Sequence, residues 1–149
     1  MRFSLWVTFF IIAFSGSVVA TDAIQLDVAK PDFKQQQDNI LKMVSTDVEY
    51  GEISDVARMA LKSALIRIDE KLMQSQFPSL NEADRKNILE DQALVNANLV
   101  RAKSDSRLVC KREAVMGSNF AKKVCRTAAQ LKRETETIRA KAAAGEIKN

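Results

Sequence analysis

The sequence has no histidine among its 149 residues, and only two cysteines, two prolines and four glycines. Histidine is the side chain that most often acts as a general base near neutral pH, and it is missing here. Acid–base chemistry would then depend on carboxylates or lysines, most of which lie on predicted solvent-facing helix surfaces. Adjacent acids such as Glu90-Asp91 point in different directions on a helix. We therefore predict a non-enzymatic protein without catalytic residues.

Aromatic side chains are also scarce. The chain has one tryptophan, one tyrosine and seven phenylalanines, and five of these nine belong to the first 20 residues. Only Phe120 lies near the basic part of the sequence described below. Because proteins that bind single-stranded nucleic acid stack the bases on aromatic side chains, the sequence does not support that mode of binding.

The two cysteines, Cys110 and Cys125, have Gly117 and Ser118 midway between them. Redox catalysts use closely spaced cysteines such as Cys-x-x-Cys, and 14 intervening residues do not resemble that arrangement. Two thiolates cannot complete a tetrahedral zinc site without other ligands. We therefore predict a structural disulfide, with no metal and no cofactor.

The N-terminus has the organisation of a secretory signal. Met1 and Arg2 form a positive start, residues 5–14 are apolar except for Thr8, and small residues lead to Ala20. An uncleaved membrane anchor is the alternative, but the apolar run is shorter than the roughly 20 residues that span a bilayer. We predict a signal peptide over 1–20 and a periplasmic or secreted protein. A flexible leader over 21–30 and a single small helical domain over 31–149 follow.

Few helix-breaking residues remain after the signal, and each lies where an element is predicted to begin or end. Apolar residues recur at helical spacing over 32–48, 55–75 and 80–102, and a final helix is predicted over 128–144. In the second helix these apolar residues form the most regular stripe along one side, which consists of Val56, Ala57, Ala60, Leu61, Ala64, Leu65, Ile68 and Leu72. The predicted fold is mainly α, with a helical hairpin, a third helix and a C-terminal helix around one short β-hairpin.

Helix-end signals support these boundaries. Ser104-Asp105-Ser106 is predicted to break the third helix. The predicted N-terminal residues and caps are Pro31 for the first helix, Ser54 or Asp55 for the second, Ser79 with Glu82 for the third, and Thr127 with Gln130 for the last.

A β-hairpin is predicted over 108–126, with the disulfide joining its two strands at the end away from the turn. A two-residue turn at Gly117-Ser118, of type II′ because glycine comes first, pairs residues whose numbers sum to 235. This register makes the two cysteines a hydrogen-bonded pair with Cα atoms about 5.5 Å apart. The predicted cross-strand pairs are Val115 with Phe120 and Glu113 with Lys122.

Positive charge is concentrated at the C-terminal end. Residues 21–107 carry 12 basic and 15 acidic side chains, whereas residues 108–149 carry 10 basic and 4 acidic ones. Five basic residues fall within the hairpin and form the candidate anion-binding set: Lys111, Arg112, Lys122, Lys123 and Arg126. Such a set could hold phosphates of envelope lipids or of extracellular nucleic acid, although a lysine-rich solvated surface is the simpler interpretation.

The hairpin sequence resembles a motif of small secreted proteins of Gram-negative bacteria. The matching residues are Leu108-Val109-Cys110-Lys111-Arg112, then Gly117-Ser118, then Val124-Cys125-Arg126-Thr127. Proteins of this kind have a cysteine, basic residues, Gly-Ser, a second cysteine and a threonine that opens a helix. The resemblance implies an envelope or secreted setting and no particular activity.

Two classes of function remain. We favour a structural or interaction module, in which the helices of residues 32–102 bury their apolar stripes against one another or against a second copy. The alternative is a binder of anionic envelope components or of nucleic acid through the basic hairpin and last helix. The sequence indicates no small-molecule substrate.

Overall fold

Four α-helices and one antiparallel hairpin form in residues 24–114, 116–117 and 120–145, which are the residues that this computed structural model describes. The predicted signal peptide lies outside them. The mainly α fold with one C-terminal hairpin is confirmed. The elements are α1 (Phe33–Thr46), α2 (Asp55–Gln74), α3 (Glu82–Ser106), β1 (Leu108–Ala114), β2 (Ala121–Thr127) and α4 (Ala128–Ala143), with 3₁₀ turns at Val48–Tyr50 and Phe77–Ser79.

The hydrophobic core lies between α1, α2 and α3. Ion pairs join α2 to α3 at Arg67–Asp91 and at Lys71–Asp84, the latter with 2.8 Å between Nζ and Oδ1. The largest side chains that are fully buried are Tyr50, Leu26, Ile40, Leu61, Leu65, Ile68, Ile88, Leu99 and Val95. Most of the stripe predicted on α2 is therefore confirmed. Val56 is the exception, since it is 79% exposed on another side of the helix.

Helix ends follow the predicted capping chemistry at two of three sites. Ser54 caps α2 by accepting from the Ala57 N–H, and Thr127 and Gln130 form the predicted capping box of α4. The capping box predicted at Ser79 is wrong, because Asn81 caps α3 and accepts from the Asp84 N–H at 2.8 Å.

The predicted break at Ser104-Asp105-Ser106 is also wrong, since α3 continues to Ser106. The hydroxyl of Ser106 is buried and accepts the Glu52 N–H at 2.9 Å, and this long-range bond holds a serine inside the last helical turn. The N-terminus of α1 differs too, since Pro31 precedes its N-cap Asp32.

Residues 24–30 differ from the predicted flexible leader. Leu26 and Val28 are only 1% and 3% exposed and belong to the hydrophobic core. The Asn96 amide accepts the Leu26 N–H at 2.7 Å and donates to the Leu26 carbonyl at 3.0 Å. Gln92 accepts the Val28 N–H at 2.8 Å. Two side chains of α3 therefore satisfy backbone groups of Leu26 and Val28, which lie outside any helix or strand.

The hairpin has the predicted register, with Cys110 opposite Cys125 and Ala114 opposite Ala121. The disulfide is confirmed. The cysteine Cα atoms are 4.0 Å apart, close to the separation of a non-hydrogen-bonded pair, so the hydrogen-bonded pairing predicted for them is wrong. Gly117 has a φ of +81°, as its predicted place in a turn requires. Ser118 and Val115, and with them the predicted turn type and the Val115–Phe120 pair, lie outside the described residues.

No helix within the described ranges is both long enough and apolar enough to cross a membrane.

Candidate anion-binding surface on the hairpin

The hairpin has two faces, because side chains alternate along each strand. We call the first the disulfide face, formed by Leu108, Cys110, Arg112, Ala114, Ala121, Lys123, Cys125 and Thr127. We call the second the helix face, formed by Val109, Lys111, Glu113, Lys122, Val124 and Arg126. The five predicted anion-binding residues are therefore divided between two opposite surfaces.

Arg126, on the helix face, is engaged by two carboxylates. Its guanidinium binds Glu113 in bidentate fashion and its Nε lies 3.1 Å from Oε1 of Glu134 in α4. The hydrogen bonds from Arg126 lower the pKa of Glu113, and Glu113 in turn raises the pKa of Arg126. Arg126 thus joins the hairpin to α4, and its charge is largely neutralised within the chain.

Glu113 does not form the ion pair that the register suggested. It lies directly opposite Lys122, but its carboxylate binds Arg126 instead. Lys111 and Lys122 remain exposed on the helix face. Lys111 also contributes to the lowered pKa of Glu113 through its positive charge. The positive charge of this face is therefore partly balanced by an internal acid.

The disulfide face has a different charge arrangement. Arg112 and Lys123 lie directly opposite each other and both are exposed. Neither has an ion-pair partner within the described part of the chain, and no acidic residue occurs in this face. Two like charges directly opposite each other destabilise a ribbon. An external anion between them would remove this repulsion, so we regard Arg112 and Lys123 as the centre of the candidate site.

The base of the hairpin is fixed to the core by Glu52. One carboxylate oxygen accepts from the Thr127 hydroxyl at 2.7 Å and the other accepts from Arg133 at 3.0 Å. The hydrogen bond from Thr127 is the main cause of the lowered pKa of Glu52, with Arg133 adding to it. The Glu52 N–H donates to Ser106, and the Ala128 N–H donates to the Arg107 carbonyl at 2.9 Å. Glu52 therefore connects the turn before α2 with the end of α3, β2 and α4.

No local pattern in the sequence marks Glu52 as a contact residue, because its partners lie 54 to 81 residues away. A cavity of about 240 Å³ opens beside it, lined by polar side chains that include Arg101 and Arg133 as well as Glu52 and Asp105. Two cations and two carboxylates leave this cavity without a net charge. It is therefore a weaker candidate for an anionic ligand than the disulfide face.

Within the described ranges, no group of three or more His, Cys, Asp or Glu side chains is arranged to hold a metal ion. No protein-family model, no curated protein and no solved structure gives a significant match to this chain. The disulfide indicates an oxidising, non-cytoplasmic location.

Proposed function

We propose that this chain is a non-enzymatic interaction module of the periplasm or the secreted fraction, in which a helical core supports a disulfide-closed hairpin that binds anionic envelope surfaces. The observation that carries the proposal is the exposed pair of Arg112 and Lys123, directly opposite each other on a face without an acid. The predicted signal sequence over 1–20 and the disulfide support the location.

The ionisable groups with perturbed pKa values favour a structural role over catalysis. The pKa values of Glu52, Asp84 and Glu113 are all lowered, in each case mainly by a hydrogen bond from a neighbouring side chain. A carboxyl group that acts as a general acid near neutral pH needs a raised pKa. These acids serve as hydrogen-bond acceptors in fixed contacts, which is what an interaction module requires.

Lipid headgroups fit the hairpin better than nucleic acid does. The strands offer point charges on a narrow ribbon, and Phe120 is the one aromatic side chain that the hairpin sequence supplies for base stacking. Met116 and Phe120 are 100% and 84% exposed, and both lie near the turn of the hairpin. Apolar side chains beside cations suit an anionic lipid surface, where the cations meet phosphate and the apolar groups meet the acyl boundary.

The R112Q/K123Q variant should bind anionic vesicles roughly 30-fold more weakly than the native chain, because each cation near such a surface contributes about 1 kcal/mol. Binding is measured by co-sedimentation with vesicles of zwitterionic lipid containing an anionic phospholipid, at low and at high salt. Raising the salt concentration should weaken binding of the native chain, because screening shortens the range of the attraction.

The matched control is K30Q/K42Q, which removes the same charge from two exposed lysines outside the hairpin. Equal losses in the two double variants would show that net charge alone drives binding and would contradict the assigned site. Absence of vesicle binding by the native chain at low salt would contradict the proposal as a whole. Stronger retention by single-stranded DNA than by vesicles would favour a nucleic-acid partner.

A further inference from the structure

Helix α2 has a second apolar line on the side away from the core. Met59, Ile66 and Met73 are 69%, 55% and 81% exposed, and they follow one another at intervals of seven residues. A seven-residue interval drifts by only about 20° around a straight helix, so the three side chains lie on one side of the helix, spaced about 10.5 Å apart along its axis. The buried residues of the same helix, such as Leu61 and Leu65, lie on the opposite side.

The charges beside this line are arranged symmetrically about its middle residue. Lys62 precedes Ile66 by four residues and Glu70 follows it by four, and both side chains are exposed. Neither has an ion-pair partner among residues 24–114, 116–117 and 120–145. The line therefore has equal apolar arms on either side of Ile66 and opposite charges at equal distances from it.

We propose that a second copy of this chain packs antiparallel on this line, with the two-fold axis next to Ile66. The axis places the two Ile66 side chains together and sets Met59 against Met73 of the second copy. Lys62 of each copy lies at the same level as Glu70 of the other, so both charge contacts are favourable. The same surface is used by both copies, as a two-fold interface requires.

The charge pattern disfavours both a parallel arrangement of two copies and a membrane as the occupant. Parallel helices would set Lys62 beside Lys62 and Glu70 beside Glu70, and like charges at an interface reduce affinity. A helix that lies on an anionic membrane has cations along its polar face, whereas Glu70 flanks one side of this line. Methionine side chains adapt to an irregular partner surface. A second copy is therefore the occupant that matches both the apolar line and its flanking charges.

The sequence predicted that the helices of residues 32–102 could pack against a second copy. The proposed interface assigns this contact to one face of α2. The face lies on the helical core and shares no residue with the hairpin. Loss of dimer formation and loss of anion binding are therefore expected to be separable.

Sedimentation equilibrium of the full mature chain, over concentrations from micromolar to millimolar, tests the interface. The native chain should show a monomer–dimer equilibrium. I66E should raise the dissociation constant roughly tenfold or more, because it places two carboxylates against each other on the axis. K62E should raise it a few-fold, and the double reversal K62E/E70K should restore the native value, because the opposite charges are again at the same level.

The matched control is I138E, which adds the same charge at a side chain of α4 that is 59% exposed. It should leave the dissociation constant unchanged, and far-ultraviolet circular dichroism should show that every variant keeps its helices. A native chain that is monomeric throughout the concentration range would overturn the proposal. So would an effect of I138E as large as that of I66E, or a K62E/E70K variant that associates no better than K62E.

Discussion

Replacing both Cys110 and Cys125 with serine is expected to open the hairpin while leaving the helical core folded. A two-stranded ribbon alone is marginal in water. None of the described residues of this ribbon belongs to the main hydrophobic core cluster, which consists of residues from 26 to 102. The disulfide closes a loop with a sequence separation of 15, and on the chain-entropy model such a crosslink stabilises by about 3 kcal/mol. Without it, the hairpin should open far more often than the helices do.

Amide hydrogen exchange measures this directly. Protection of residues 108–114 and 121–127 should fall roughly hundredfold in C110S/C125S, since 1.4 kcal/mol corresponds to a factor of ten. The amides of Leu61, Leu65 and Ile68 in α2 serve as the internal control and should keep their protection. Reduction of the native chain should reproduce the effect of the double variant.

Unchanged exchange in the strands would contradict this expectation. It would mean that the contacts at the base of the hairpin, rather than the disulfide, hold the strands together. A loss of protection throughout α2 would contradict the expectation that the helical core stays folded, because the core would then depend on the disulfide.

Elements stabilised by local patterns were predictable from the sequence. The apolar spacing predicted α2 to within a residue of its observed ends, and the serine and threonine caps at Ser54 and Thr127 are confirmed. The register of the hairpin follows from the cysteine spacing, since the strands have to bring the two cysteines opposite each other. In each of these cases the interactions that decide the structure lie within about 20 residues of one another.

The errors arise where distant residues decide the local structure. Leu26 and Val28 have no periodic pattern, but they are buried because Asn96 and Gln92 satisfy their backbone. Ser106 looked like part of a helix break because serine favours helix ends and turns, and its buried bond to Glu52 reverses that preference. A single sequence does not reveal such contacts, because nothing in the local spacing marks the partner.

The candidate site was predictable in composition and not in geometry. Counting basic residues identified the hairpin, but the count treated Arg126 as equivalent to Arg112. The structure separates them, since Arg126 pairs with Glu113 and Glu134, and Arg112 faces Lys123 across the strands. Alternation along the strands predicts the two faces, whereas the reach of Arg126 to α4 depends on how that helix packs.

Replacing Glu52 with glutamine is expected to loosen α4 and the base of the hairpin from the core. In α4, Ala129 is the one buried residue, so apolar burial contributes little to its position. The Glu52 carboxylate binds Thr127 and Arg133, and hydrogen bonds of this charged kind contribute about 1.5–3 kcal/mol. An amide keeps the shape of the side chain but loses its charge. We expect the variant to be roughly 2 kcal/mol less stable at neutral pH, with faster exchange in residues 128–143.

The pH dependence of this loss identifies the carboxylate as its cause. The pKa of Glu52 in the folded chain is lowered from its ordinary value of 4.5, so its stabilising effect is fully present above that pH and disappears as the pH falls through the folded-state pKa. The difference in unfolding free energy between the native chain and E52Q should therefore be constant from neutral pH down to about 5 and shrink below 4.5. Urea unfolding at a series of pH values measures it, and E136Q, at an exposed position of α4, should show no such difference. A difference in unfolding free energy between the native chain and E52Q that persists at pH 2 would contradict this expectation. It would assign the effect to the altered shape of the side chain, so that Glu52 would hold the hairpin by packing rather than by charge.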